Sequence, residues 1–81
     1  LKDKGTPENE LMREEISRTV YKTIAELPED LRTAIMLREM EGMSYEDIAL
    51  TMDCPIGTVR SRIFRAREAI DEKLKPLVEG D

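Results

Sequence analysis

Apolar residues in this chain recur at spacings of three and four, and the recurrence is cut at three places: Pro28, Gly42 and Asp53-Cys54-Pro55. One apolar residue every three or four positions is what a helix needs to bury a single face. The segments between the cuts are rich in helix formers, while Gly and Pro are expected at breaks and not inside periodic runs. The expected fold is therefore all-α, a four-helix domain ending in a helix-turn-helix with a long recognition helix.

The first helix is expected over residues 8–26, with Met12, Ile16, Val20, Ile24 and Leu27 as its buried stripe. Glu8, Glu10, Glu14 and Glu15 near its start suit the positive end of the helix dipole. Pro28 fits the first position of a second helix, where a missing N–H costs nothing. That helix carries Leu31, Ile35, Leu37 and Met40 and should stop at Gly42 in the left-handed conformation. Ser44 caps a short third helix, with Asp47 three residues on as a weak capping box, and Ile48 and Ala49 facing inward. It ends near Met52. Pro55 fits the first position of the last helix, which should run to Leu77 on a stripe of Ile56, Val59, Ile63, Ala66, Ile70, Leu74 and Leu77. Residues 1–8, polar and broken by Gly5 and Pro7, read as a linker remnant, and residues 9–81 as the domain.

Several function classes are excluded by what is missing. The chain has 81 residues, room for one small core. No apolar run approaches the roughly 18 residues of a membrane span. The chain opens on Leu1 and Lys2 with no signal-peptide pattern, so it is expected to be a fragment of a longer cytoplasmic protein. Cys54 is the sole cysteine and histidine is absent. That rules out an internal disulfide and zinc-finger spacing, and it removes the commonest general base. No phosphate loop or nucleophile motif is present, so neither an enzyme nor a cofactor, metal or small-molecule ligand is expected. The acidic pair Glu29 and Asp30 is better explained by a helix dipole.

Charge distribution is more informative than its total. The net charge is −5, from 13 basic and 18 acidic residues. Residues 54–67 contain Arg60, Arg62, Arg65 and Arg67 and no acid, so that segment carries +4 and the rest of the chain −9. A basic cluster on an acidic body suits a localised DNA contact. The cluster follows a short turn between two helices, the arrangement that places a recognition helix, here residues 58–67, in the major groove. Each residue steps about 100° around a helix. With Val59, Ile63, Ala66 and Ile70 inward, Ser61, Arg65 and Glu68 point outward, Thr58 and Phe64 edge that face, and Arg60, Arg62 and Arg67 flank the buried stripe. Arginine can pair with guanine N7 and O6, and an exposed Phe can pack on a thymine methyl. Thr58 and Ser61 can reach phosphate oxygens, and Gly57 lets the DNA backbone come close to free N–H groups. The plainer readings are solvated arginines, Phe64 at a core edge or partner interface, Ser44 as a cap alone, and Cys54 as a small turn residue. The five Met residues suit a core or a groove for a partner helix, and Leu11, Met12 and Ile16 form a possible docking face.

Three stretches carry a family likeness: Leu27-Pro-Glu-Asp-Leu-Arg-Thr-Ala, Gly42-Met-Ser-Tyr-Glu-Asp-Ile-Ala, and Cys54-Pro-Ile-Gly-Thr-Val-Arg-Ser-Arg-Ile-Phe-Arg-Ala-Arg. The chain resembles region 4 of the extracytoplasmic-function sigma factors of bacterial RNA polymerase, of the sigma-E (envelope-stress, alginate-regulator) type, over residues 9–77. The resemblance implies recognition of a GGAAC-like −35 promoter element, partly through DNA shape, and docking on the β-flap of core polymerase. It implies base contacts from Arg60, Ser61, Phe64 and Arg65. Backbone contacts are implied for Arg38, Ser44 and Tyr45, with Arg62 and Arg67 assisting. It also implies an anti-sigma factor, membrane-anchored, that would hold the protein at the inner membrane from the cytoplasmic side. Two alternatives remain at this point, a LuxR-type effector domain with a similar helix-turn-helix and a purely protein-binding helical module.

Overall fold

A computed structural model describes residues 7–79, and among them are four helices: α1 (Pro7–Glu26), α2 (Glu29–Glu39), α3 (Tyr45–Met52) and α4 (Ile56–Glu79). The expected linker lies largely outside the described residues; Pro7 and Glu8 already belong to α1. Helix α4 is about 36 Å long at about 1.5 Å per residue, and α1, α2 and α3 all pack against it. The core is Ile24 from the end of α1, Leu27 just after it, Ala34 and Ile35 from α2, Ile48 from α3, and Val59, Ile63 and Ala66 from α4.

The helix ends depart from expectation by small, explicable amounts. Pro28 sits just before α2, not on its first turn. Its ψ of 151° is extended, while its carbonyl accepts the Arg32 N–H at 2.9 Å, as an N-cap carbonyl does. Helix α2 ends at Glu39 with Met40 as its cap. Gly42 then takes φ +69°, which a side chain would resist, and Met43 N–H reaches back to the Leu37 carbonyl at 3.1 Å. Pro55 likewise precedes its helix, with its carbonyl accepting from Thr58 N–H at 3.0 Å and Val59 N–H at 3.2 Å. Helix α4 runs two residues past Leu77 and contains Pro76, against the expectation that proline falls only at breaks. Pro76 begins the last turn, so the missing N–H forfeits one hydrogen bond near a helix end.

The turn between α3 and α4 is built by capping at both ends. Ser44 Oγ accepts the Asp47 N–H at 3.0 Å and starts α3. Asp53 ends it in the left-handed conformation, φ 55° and ψ 54°. Its N–H reaches Leu50 and the next N–H, of Cys54, reaches Ala49 at 3.0 Å. This is a Schellman closure with Asp in the place usually taken by Gly.

Core membership also differs from the expected stripes. Met12 and Met40 are 43% and 46% exposed, and the buried part of α1 is its C-terminal half. Ala34, not anticipated, is fully buried. Thr23 is the buried polar residue of the described core, and its hydroxyl donates to the Thr19 carbonyl one turn back at 2.7 Å.

Ile63 is 1% exposed at the centre of α4. Ile63→Ala should lower the unfolding free energy by about 2–5 kcal/mol, measured by urea denaturation followed by circular dichroism. A loss under about 1 kcal/mol would be too small for a packed isoleucine.

Candidate nucleic-acid interface

The short three-residue turn after Met52 fixes how α4 leaves α3. Burial of Val59, Ile63 and Ala66 then fixes the rotation of α4 about its own axis. Opposite that stripe, Gly57, Ser61, Phe64, Arg65 and Glu68 are all exposed, and so is Arg60 on its flank. Phe64 is 63% exposed, a largely uncovered aromatic ring. Thr58 is half-buried at the edge of this face. A Cβ built on Gly57 meets nothing within 4 Å, so internal packing makes no demand for glycine there.

The four arginines of the cluster divide into two pairs. Arg62 and Arg67, which flank the buried stripe, are tied back to α2. Arg62 is 24% exposed; its Nε lies 3.6 Å from Asp30 Oδ2 and its Nη1 donates to Cys54 Sγ at 3.7 Å. Arg67 Nη2 donates to Glu39 Oε2 at 2.7 Å. The hydrogen bond to Glu39 raises the Arg67 pKa above its ordinary value against a weaker effect of burial, and Tyr45 adds a smaller push the same way. Arg60 and Arg65 stay on the open face. Among the described residues Arg65 has no ion-pair partner, while the Arg60 guanidinium lies 6.0 Å from the centroid of the Tyr45 ring.

The residues expected to hold the DNA backbone from the preceding helices lie together beside this face. Ser44 is committed to its cap through its oxygen lone pair, although its hydroxyl hydrogen remains available to donate. Tyr45 opens α3 and is half-buried against the core. Arg38, near the end of α2, donates from Nη1 to the Met43 carbonyl at 2.8 Å and lies 4.8 Å from the Tyr45 centroid. The carboxylates of Asp30 and Glu39 were not anticipated as part of the site. Glu39 is far from Arg67 in sequence, and no local spacing could have paired them.

This is the helix-turn-helix class, with a capped three-residue turn and a recognition helix whose outer face is open. Residues 17–70 match the family described as Sigma-70, region 4. The chain is 67% identical over 78 residues to the RNA polymerase sigma-H factor of Pseudomonas aeruginosa, covering 96% of this chain and 40% of that protein. It is 65% identical over 78 residues to the ECF RNA polymerase sigma-E factor of Haemophilus influenzae, and 63% to that of Escherichia coli (strain K12), covering 96% of this chain and 41% of each. The chain thus spans about two fifths of the length of the curated relatives it matches. It belongs to the sigma-70 region 4 family, and the match does not favour the LuxR-type alternative.

The Glu39–Arg67 pair joins side chains that are 49% and 51% exposed, so solvent screens it. A double-mutant cycle with Glu39→Gln and Arg67→Gln should give a coupling of about 0.2–1 kcal/mol. It should shrink in 1 M salt, where the Debye length is about 3 Å. A larger, salt-insensitive coupling would mean that the pair is shielded from water.

Proposed function

We propose that this domain reads a GGAAC-like −35 promoter element with the first three turns of α4, as the region 4 part of an alternative sigma factor. The observation that carries the reading is the open face of α4, where Arg60, Ser61, Phe64 and Arg65 stand exposed directly after a helix-turn-helix turn. Arg60 and Arg65 pair with guanine edges, Phe64 packs on a thymine methyl, and Ser61 reads a neighbouring edge. Arg38, Ser44, Tyr45 and Thr58 hold the phosphate backbone, and Gly57 lets it approach the N–H groups at the start of α4. Arg62 and Arg67 contact phosphate by exchanging or sharing their carboxylate partners.

Promoter recognition requires a polymerase, and the domain docks on the β-flap of the core enzyme. Exposed Leu11 and Met12 on α1, Met36 on α2 and Met40 at its C-cap supply apolar area suited to a protein partner. An anti-sigma factor, membrane-anchored, competes for the same domain. An inhibitor that also covers the α4 cluster is acidic on that side. The domain binds and does no chemistry of its own, and it works in the bacterial cytoplasm, where promoter and polymerase are.

The test is equilibrium binding of this chain to a GGAAC duplex and to a scrambled duplex. Arg60→Ala and Arg65→Ala should each cost about 1–3 kcal/mol on the first and much less on the second. Arg62→Ala and Arg67→Ala should weaken both duplexes alike and flatten the log–log salt dependence by about 0.9 each. Equal losses on both duplexes for Arg60 and Arg65 would sink the base-reading assignment.

Gly57 offers a check in which stability and binding move in opposite directions. Gly57→Ala should stabilise the free domain by up to about 1 kcal/mol through helix propensity, because no internal atom blocks the new methyl. The same change should weaken DNA binding by crowding the phosphate. Thermal melts and duplex titrations read the two effects separately, and unchanged binding would remove Gly57 from the interface.

A further inference from the structure

Tyr45 stands at the junction of three helices. It opens α3 one residue after the Ser44 cap, and its ring packs on the core. Arg38 from α2 lies 4.8 Å from the ring centroid, and Arg60 from α4 lies 6.0 Å from it. A guanidinium is attracted to an aromatic face out to about 6 Å from the centroid, so Arg38 is well inside that range and Arg60 at its limit. Arg38 is also anchored through its bond to the Met43 carbonyl. The ring is thereby held by the core and by the anchored Arg38 guanidinium over it. Arg60 is the exposed member of the group.

A long exposed arginine samples many rotamers, and ordering it on binding costs conformational entropy. A ring that narrows those rotamers beforehand lowers this cost only if the retained orientation suits the target. Arg65, the other open arginine, has no ring contact of this kind among the described residues. The two base-facing arginines therefore differ in preorganisation. The hydroxyl of Tyr45 is not required for this effect, which depends on the ring.

We infer that Tyr45 is a positioning residue for base recognition: its ring, fixed by Arg38 and the core, orients the Arg60 guanidinium before DNA arrives. The inference rests on the promoter-reading role of α4 proposed above. It differs from a phosphate contact by the Tyr45 hydroxyl, because it assigns the contribution to the ring and routes it through Arg60.

The experiment compares Tyr45→Phe, Tyr45→Leu, Arg60→Ala and the Tyr45→Leu/Arg60→Ala double variant, each titrated with the GGAAC duplex and the scrambled duplex. Tyr45→Phe removes only the hydroxyl that contacts phosphate, so it should weaken both duplexes by the same factor and keep the parent's preference for the GGAAC duplex. Tyr45→Leu should lose about two- to fivefold on it, the equilibrium equivalent of an exposed cation–π contact, with a smaller loss on the scrambled duplex. In the Arg60→Ala background Tyr45→Leu should cost no more than Tyr45→Phe does. A Tyr45→Phe loss of preference for the GGAAC duplex matching that of Tyr45→Leu would assign the contribution to the hydroxyl and overturn the inference. So would a Tyr45→Leu loss that persists undiminished without Arg60. Independently of any variant's folding, the Arg60 side-chain protons of the parent should show an upfield ring-current shift by NMR, and random-coil positions would overturn the contact. If the parent discriminates between the duplexes but the cycle shows no coupling, the positioning role alone fails. If the parent does not discriminate, the promoter-reading role fails and this inference falls with it.

Discussion

The packing of one stripe on α4, Val59, Ile63 and Ala66, against the three other helices governs the rest of the molecule. All three residues are at most 1% exposed, and α1, α2 and α3 each pack on the helix that carries them. Because the stripe is fully used for packing, the opposite face of α4 has nothing to rest on and stays in water. The exposure of Phe64 and the open arginines follows from that rotation. The core and the candidate DNA surface are two sides of one helix, so a change on the buried side displaces the outer one. A helix this long also extends the domain, which measures 45 × 27 × 17 Å along its principal axes.

Electrostatics refine what packing positions. A basic segment of +4 lies on a body of −9, and the body reaches into the segment at two points. Asp30 and Glu39 on α2 face Arg62 and Arg67, the two arginines nearest the buried stripe. These exposed or half-exposed pairs add little stability, but they tie two of the four cations to α2. Arg60 and Arg65 are both exposed on α4 and have no ion-pair partner among the described residues.

The turn between α3 and α4 shows how local chemistry serves that geometry. Ser44 begins α3 with a side-chain cap and Asp53 ends it in a left-handed conformation, so both ends of the short helix are closed within a few residues. The tight closure limits the directions in which α4 can leave. Gly42 provides the corresponding freedom at the end of α2, where φ is +69°.

Much of this was legible in the sequence because it depends on neighbours along the chain. Apolar spacing located four helices and the inward stripe of α4, Ser44 and Gly42 marked their caps, and the uninterrupted arginine segment pointed to the outward face. The one-residue errors at Pro28 and Pro55 reflect local geometry as well: a proline can occupy either the N-cap or the first turn, and sequence does not distinguish them. The extent of burial could not be read locally, since Met12 and Met40 keep helical spacing but stay 43% and 46% exposed. Nor could the division of the arginines, because Asp30 and Glu39 meet Arg62 and Arg67 only after α2 and α4 pack together. The placement of Tyr45 between Arg38 and Arg60 likewise belongs to three helices at once. The sequence by itself determined which residues form helices and which face of α4 turns outward, since both follow from periodicity within a segment. Only the tertiary structure decided which charges are paired and which remain free, since that depends on side chains from separate helices coming within a few ångströms of one another.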